Sequence, residues 1–436
     1  MQSSQRFPAA AVACAALSWV TFAQAQSAPL QAQVDALIEK VAELERKQHG
    51  ADVPPSAAVP SNAVTGGATK GSFKLPGSNT SVTLGGYVKL DAIFTNPSAG
   101  VGSTADQELE APNIPVGANA KSGERNQLKF HARQSRLFGA TATPTPWGEL
   151  TTYVEGDFFG TAGTETVSNS NGLRLRHAYG TLGGLLAGQT WTTFSDPATY
   201  PETLDFGGPV GVVFARQAQV RWTQAFSGGR WSLALENPET VASLPSGASF
   251  RGDDDRLPDF AANVHFDTSF GKYSIAGIAR QLRVDSPSSP AVREQKLATA
   301  FGVNGVIPSF GKDDLRFSAY AGNGIGRYSI GFLSDALVDA DSHLVAPTQW
   351  LAMAAYRHYW TANLRSTLAL SGVGVSNPAG AASGVNKSSE SAHLNVIWSP
   401  TPQSNVGLEY IFARREVQGG DSGNLNRVQA SAQYFF

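Results

Sequence analysis

The sequence predicts an all-β protein, a 16-stranded antiparallel transmembrane β-barrel behind a short N-terminal coiled-coil helix. Three observations predict it. The chain opens on a secretory leader. Short and long connections alternate along its length. Its final strand is apolar on one face, polar on the other, and ends on an aromatic residue.

Arg6 is followed by an apolar run over 7–22 and by Ala23-Gln24-Ala25, a small-x-small cleavage site, so 1–25 reads as a signal peptide. Cys14, the single cysteine, lies inside it; Ala11 to Cys14 resembles a lipoprotein signal, but the apolar run continues past it. The mature chain then holds no thiol, which excludes disulfides and cysteine catalysis. No later stretch offers the ~18 apolar residues of a membrane-spanning helix. A secreted chain without such helices spans a membrane only as a closed barrel. Charged residues are 16% of the chain and the formal charge is −2, which argues against nucleic acid as a partner.

Residues 26–48 carry Leu30, Val34, Leu37, Val41 and Leu44 at spacings of 4, 3, 4 and 3. With Val34 and Val41 at a, the leucines fall at d, Lys40 and Lys47 at g, and Glu45 at e. A helix this short does not stand alone in water, so the pattern implies an oligomer with a periplasmic coiled coil. The number of strands stays open, and an amphipathic helix lying on another surface is the alternative. Residues 49–70, rich in Pro, Ala and Gly, form a linker of mixed stiffness.

Period two begins at 81 and runs through the barrel domain, 71–436. Val82, Leu84, Val88, Leu90, Ala92 and Phe94 share one face; Thr83, Tyr87, Lys89 and Asp91 share the other. Short turns are expected at 144–148, 183–184, 227–229, 267–272, 308–313, 360–363 and 399–403. Longer connections fall at 96–127, 160–171, 195–211, 237–257, 285–294, 323–348, 377–387 and 415–425. Tight periplasmic turns alternating with long outer loops are what a membrane barrel shows. An even strand number puts both ends of the domain in the periplasm. Trp191, Trp222, Trp231, Trp350, Trp360 and Trp398 fall near strand ends, where interfacial aromatic girdles form. In the closing strand, Val428, Ala430, Ala432, Tyr434 and Phe436 face one way. Arg427, Gln429, Ser431 and Gln433 face the other, with Phe435 the exception.

Charge is unevenly placed. Residues 125–148, 166–195 and 206–235 hold Arg133, Arg136, Arg174, Arg176, Arg216 and Arg221 and no Asp or Glu; 342–389 adds Arg357 and Arg365 on nearly the same terms. An arginine facing lipid at mid-membrane costs about 2–4 kcal/mol, so these are expected to line the lumen and attract anions. Arg133 and Arg136 are three apart, as are Arg280 and Arg283, so each pair needs a bulge or a member at the rim. Glu155 and Asp157 line the lumen face of the third strand and neutralise part of the ladder. The third long loop, 195–211, carries Asp196, Glu202 and Asp205. If it folds inward, these acids would oppose the arginines across a constriction; an ordinary outward loop is the alternative.

The stretches 71–94, FHARQSRLFG (130–139), GQTWTTFSDPATYPETLDFGGPVG (188–211), RQAQVRW (216–222), DDRLPDF (254–260) and YRHYWTANLRSTLA (356–369) resemble the DcaP-type porins of Gram-negative bacteria. The resemblance implies a homotrimer in the outer membrane, with periplasmic N-terminal helices. It also implies passive uptake of small anions, dicarboxylates being the associated class, with inward arginines at Arg133, Arg136, Arg216 and Arg221. The terminal Phe436 resembles the aromatic terminus that the barrel-assembly machinery reads. A non-selective diffusion porin, a phosphate-type anion porin and an envelope tether are the alternatives. No cofactor or metal is called for, and His131, His177, His265, His343, His358 and His393 follow no catalytic spacing. Deleting 30–48 is expected to leave conductance intact and to lower the melting temperature of the oligomer on heated gels. An unchanged melting point would deny the heptads that role.

Overall fold

The computed structural model describes residues 64–97, 107–122, 125–161, 163–244, 246–251, 254–286, 291–339 and 341–436, together with helical Ala36, Glu39 and Lys40. The leader and the heptad positions Leu30, Val34, Leu37, Val41 and Leu44 lie outside the described residues. The chain divides into Met1–Ala63 and Val64–Phe436, and only the second unit is described below. Among the described residues no helix is long and apolar enough to cross a membrane.

Sixteen strands form a closed antiparallel barrel. In chain order they are β1 (Ser81–Asn96), β2 (Arg136–Thr145), β3 (Gly148–Asp157), β4 (Arg174–Leu182), β5 (Leu185–Trp191) and β6 (Arg216–Phe226). Next come β7 (Gly229–Glu236), β8 (Asp259–Thr268), β9 (Gly271–Ser286), β10 (Val292–Pro308) and β11 (Asp314–Asn323). The last are β12 (Thr348–Tyr359), β13 (Leu364–Val375), β14 (Asn386–Thr401), β15 (Ser404–Val417) and β16 (Ser422–Phe435). Each pairs with the next, and β16 closes on β1 from Tyr87↔Phe435 to Asn96↔Asn426. Closure leaves no unpaired edge, which lipid would not tolerate.

Alternation sorts the side chains. On β1, Leu84, Val88, Leu90 and Phe94 lie exposed outside, while Lys89, Asp91, Ile93 and Thr95 are buried inside. The outward rows continue through Tyr434 and Phe436 and make an apolar belt that only a membrane would cover. Phe435, the apolar residue on the polar face, meets Tyr87 edge-on at 5.7 Å between ring centres. Trp222, Trp350, Trp360 and Trp398 are exposed on the outside. Trp191 departs from the expected girdle: it packs against Tyr200 and Phe214 of the third loop.

The two-residue turns at 183–184 and 227–228 take left-handed backbone at Gly183 (φ 58°) and Gly228 (φ 83°), which glycine adopts without strain. Two outer connections are shorter than expected, 287–291 and 418–421. Their flanking polar residues stay in the ladder, pairing out to Ser286↔Val292 and Glu416↔Ser422. The spacing of Arg133 and Arg136 is met by a break. Gln127–His131 pairs with the outer half of β1, Arg136–Thr145 with its inner half, and 132–135 leave the ladder between them. The spacing of Arg280 and Arg283 is met by opposite faces: Arg280 is buried inside, and Arg283 bonds to Asp285 and the Asp254 carbonyl near the outer end of β9.

The barrel interior is not uniformly polar. Inward Ala276 and Ile278 on β9, Tyr320 on β11, Leu351 on β12, Val373 on β13 and Ile411 on β15 form one apolar cluster. Loop residues complete it: Leu109 and Ile114 from 97–126, Phe194, Val210 and Val213 from 192–215, and Tyr328 and Phe332 from 324–347. Three loops are thus packed into the barrel, where apolar burial holds them at about 1.5–3 kcal/mol per large side chain.

Arg280, 1% exposed, donates from Nε to Asp259 (2.8 Å), from Nη1 to Asp335 (2.8 Å) and from Nη2 to the Glu239 carbonyl (2.5 Å). It thereby ties two outer loops to the wall. Arg280→Ala would leave two buried carboxylates uncompensated, at a cost of about 3–5 kcal/mol. The expected result is faster protease cleavage within 324–347 and a lower melting temperature; wild-type cleavage rates would refute it.

Candidate pore constriction

The segment 192–215 runs inside the barrel, held by polar contacts to the wall. At its start Thr192 Oγ1 and the Thr193 amide donate to Glu236, both at 2.6 Å. Asp196 accepts from the Ala198 amide (3.2 Å) and from Ser274 Oγ on β9 (2.7 Å), with His265 Nδ1 at 3.5 Å. Glu202 receives Arg365 of β13 in a two-pronged pair (2.7 and 2.6 Å), with Arg357 of β12 at 3.6 Å. The Leu204 amide donates to Glu409 (2.7 Å), and its carbonyl accepts from Lys89 (2.6 Å) and Gln429 (3.0 Å). Asp205 accepts from Arg427 (3.2 Å) and from the Gly207 and Gly208 amides (2.9 and 2.8 Å).

These contacts change what the loop acids do. Sequence reasoning set Asp196, Glu202 and Asp205 against Arg133–Arg221 across the passage. Instead they bind partners on β8, β9, β12, β13 and β16. The reason is register: Ser274, Arg365 and Arg427 are inward-facing partners that a single chain segment reaches in succession.

Opposite stands the basic wall of β2–β4. Asp157 accepts Arg174 through Nε (3.0 Å) and Nη2 (2.9 Å), and Arg176 through Nη1 (2.8 Å). Glu155 accepts Arg176 Nε (2.6 Å) and the Tyr153 hydroxyl (2.7 Å), with Arg136 Nε at 3.5 Å. Arg136 also lies over the Tyr87 ring at 5.1 Å. Arg216, at the start of β6, makes no hydrogen bond or ion pair among the described residues; its Nη1 is buried without a partner. Its guanidinium rests on Trp191 (4.7 Å) and Phe214 (5.0 Å). Three guanidiniums thus share two carboxylates, and a fourth stands beside them without one.

The third loop faces this wall with rings. Phe206 lies under Arg174 (5.1 Å) and Arg176 (5.5 Å) and stacks on Phe159 at 4.6 Å. Above it, two cavities of about 670 and 350 Å³ share Phe214, Ile330 and Gly331. The larger is lined by Arg251, Arg327 and Arg415 of the outer loops and rim; the smaller by Glu108, Glu110 and Arg174.

The structure brings Arg136, Arg174, Arg176 and Arg216 together with Glu155 and Asp157. Arg133 does not join them. It is 1% exposed and donates to the Phe158 and Gly160 carbonyls (3.1 and 3.3 Å) and to Gln107 Oε1 (2.6 Å), locking two loops together. Charge reversal there would disturb the fold rather than read out selectivity. Arg221 stands apart, beneath the third loop. Sequence reasoning missed Phe206 and Phe214 as partners of the arginines; the place of Phe206 inside 188–211, with Phe214 three residues beyond, was the available signal. It noted Arg357 and Arg365 by charge without placing them at the loop.

Burial, with the neighbouring Glu110 and Asp205 carboxylates, pushes the Glu108 carboxyl up to about 8, against the pull of Arg174 and Arg133. Glu108 therefore keeps its proton at pH 7 and gains charge as pH rises through about 8. Anion permeability relative to K⁺ is expected to fall between pH 7 and pH 9, and Glu108→Gln to flatten that fall. Equal pH profiles for the two proteins would contradict the assignment.

A family model described as DcaP outer membrane protein matches residues 24–436. The outer membrane channel DcaP of Acinetobacter baumannii superposes with a TM-score of 0.73 at 24% identity, covering 85% of this chain and 100% of that one. An anion-selective porin from Comamonas acidovorans gives 0.54 at 12%, covering 82% and 100%. The trimer form of OmpT from Vibrio cholerae gives 0.52 at 11%, covering 82% and 99%. No curated protein matches the chain. At these identities the solved structures speak for the fold, and the family match extends over nearly all of the sequence. The chain is an outer-membrane β-barrel of the porin type from the Gram-negative cell envelope, and it belongs to the DcaP outer membrane protein family.

Proposed function

We propose that the barrel is a passive channel preferring small anions, with dicarboxylates as its solute class, and that it works as a homotrimer. The observation carrying this is the composition of the constriction. Arg136, Arg174, Arg176 and Arg216 stand with Glu155 and Asp157, Glu108 and Glu110 border the cavity beside Arg174, and the loop opposite presents Phe206 and Phe214. With Glu108 protonated at pH 7, the guanidiniums outnumber the charged carboxylates where water is confined. A guanidinium on a ring keeps its outward N–H groups free for a carboxylate, with which it pairs through two parallel hydrogen bonds. A passage also needs sites weak enough to leave, and partial neutralisation by Glu155 and Asp157 supplies that. The far side adds Arg316, Arg357 and Arg365 against Glu202 and Asp314. One solved relative in fold is described as an anion-selective porin and another as a trimer, which is consistent with the reading. A non-selective diffusion porin is the rival if these ion pairs cancel.

Reversal potentials of the full mature protein in a KCl gradient test it. Chloride preference is expected in the wild type. Arg216→Glu should reduce the chloride-to-potassium permeability ratio by roughly fivefold, corresponding to about 1 kcal/mol of local potential. Cation preference in the wild type would defeat the proposal. Liposome swelling should rank succinate above a neutral sugar of equal size.

A further inference from the structure

A second cluster of cationic groups lies apart from the constriction, toward the short-turn end of the barrel. β6, β7 and β8 are in register there, and their inward positions form rows. Arg221 sits beside Ala234 and Ala261. The next row toward the turns is Thr223, Ser232 and Asn263, and the row after that pairs Arg230 with His265. The two arginine rows are four residues apart, about 13 Å of strand rise, with hydroxyl and amide groups between. Ser195, Asp196 and Pro197 of the third loop border the same space, a pocket of about 210 Å³.

Of the nearby acids, Glu236 attracts Arg221 and Asp196 borders the pocket, but neither forms a salt bridge with an arginine there. Glu236 accepts from Thr192 and the Thr193 amide. Asp196 accepts from Ser274 and the Ala198 amide, with His265 beside it. Asp267 at the rim pairs with Lys272 at 3.5 Å. Arg221 and Arg230 form no ion pair among the described residues, and both act electrostatically on His265, which pairs with Arg230 in register. Two guanidiniums without a salt-bridge partner, flanking a row of hydrogen-bonding side chains, make an oxyanion receptor.

We infer that this pocket is a second anion station, which holds a small oxyanion between Arg221 and Arg230 after it has passed beneath the third loop. The inference rests on the channel reading and deepens it. An anion leaving the constriction finds a second site of its own sign preference, so that occupancy of one site favours release from the other.

The test uses the full mature protein in bilayers with known orientation, and records block and noise of the KCl current with succinate or sulfate added on each side. In the wild type, at least one of the two should interact from the short-turn side. Arg221→Gln with Arg230→Gln should raise its half-blocking concentration roughly tenfold, while the reversal potential stays on the anion side because the constriction is untouched. Arg221→Lys with Arg230→Lys, which keeps charge but loses the two-pronged geometry, should fall between; it also serves if the glutamine pair fails to assemble. An unchanged half-blocking concentration in both pairs, or no block by either anion from that side, overturns the second station. A wild-type reversal potential on the cation side would instead overturn the channel reading, so the two failures are distinguishable.

Discussion

Three carboxylates on one inward loop govern where anything can pass through this barrel. Asp196, Glu202 and Asp205 bind Ser274, Arg365 and Arg427 on β9, β13 and β16. Removing any one would leave a buried partner without its counter-charge or hydrogen bond, which is more costly than never having had the pair. The loop is therefore tied to those strands by ion pairs and hydrogen bonds, and it meets Arg174, Arg176 and Arg216 through the rings of Phe206 and Phe214 instead.

That asymmetry divides the interior by physical character. On the loop side the barrel is filled like a globular core, with Phe194, Val213 and Tyr328 packed on Ile278, Leu351 and Val373. The hydrophobic driving force there is the ordinary one, because the surfaces that meet would otherwise face lumen water rather than lipid. Outside, the same strands show lipid the rows of Leu, Val and Phe that a soluble protein would bury. The strands of the loop half are thus apolar on both faces along part of their length, whereas β2–β4 keep the polar lumen face of a water-filled passage.

On the arginine side, rings rather than acids cover the guanidiniums. Phe206 and Phe214 hold the guanidinium planes through their π faces; the N–H groups of Arg174 and Arg176 go largely to Asp157 and Glu155, and those of Arg216 stay without a carboxylate. Glu155 and Asp157 sit behind, among the wall residues. They orient the array and moderate its charge. Selectivity in such a site comes from orientation and from restricted hydration, more than from a simple total of charges.

The architecture was legible in the linear chain because its signals are local. Alternation along 81–94 and 427–436 and the spacing of turns each need only neighbouring residues to be read. The loss of about 2–4 kcal/mol for an arginine in lipid likewise makes an inward ladder inferable without coordinates. The trapped loop was also visible as a candidate, through its length and its prolines. Its partners were not. Which acid meets which base depends on strand register between residues up to 222 positions apart, as for Asp205 and Arg427. A single register step sends a side chain to the opposite face, so neither charge runs nor composition could tell that the loop acids pair with Arg365 and Arg427 and leave Arg216 to two aromatic rings. The chain alone determined that a barrel forms and which rows face lipid, since those follow from period two and transfer energies. Only the closed tertiary structure decided which arginines remain free in the passage, because that is settled by contacts between segments that no sequence window contains.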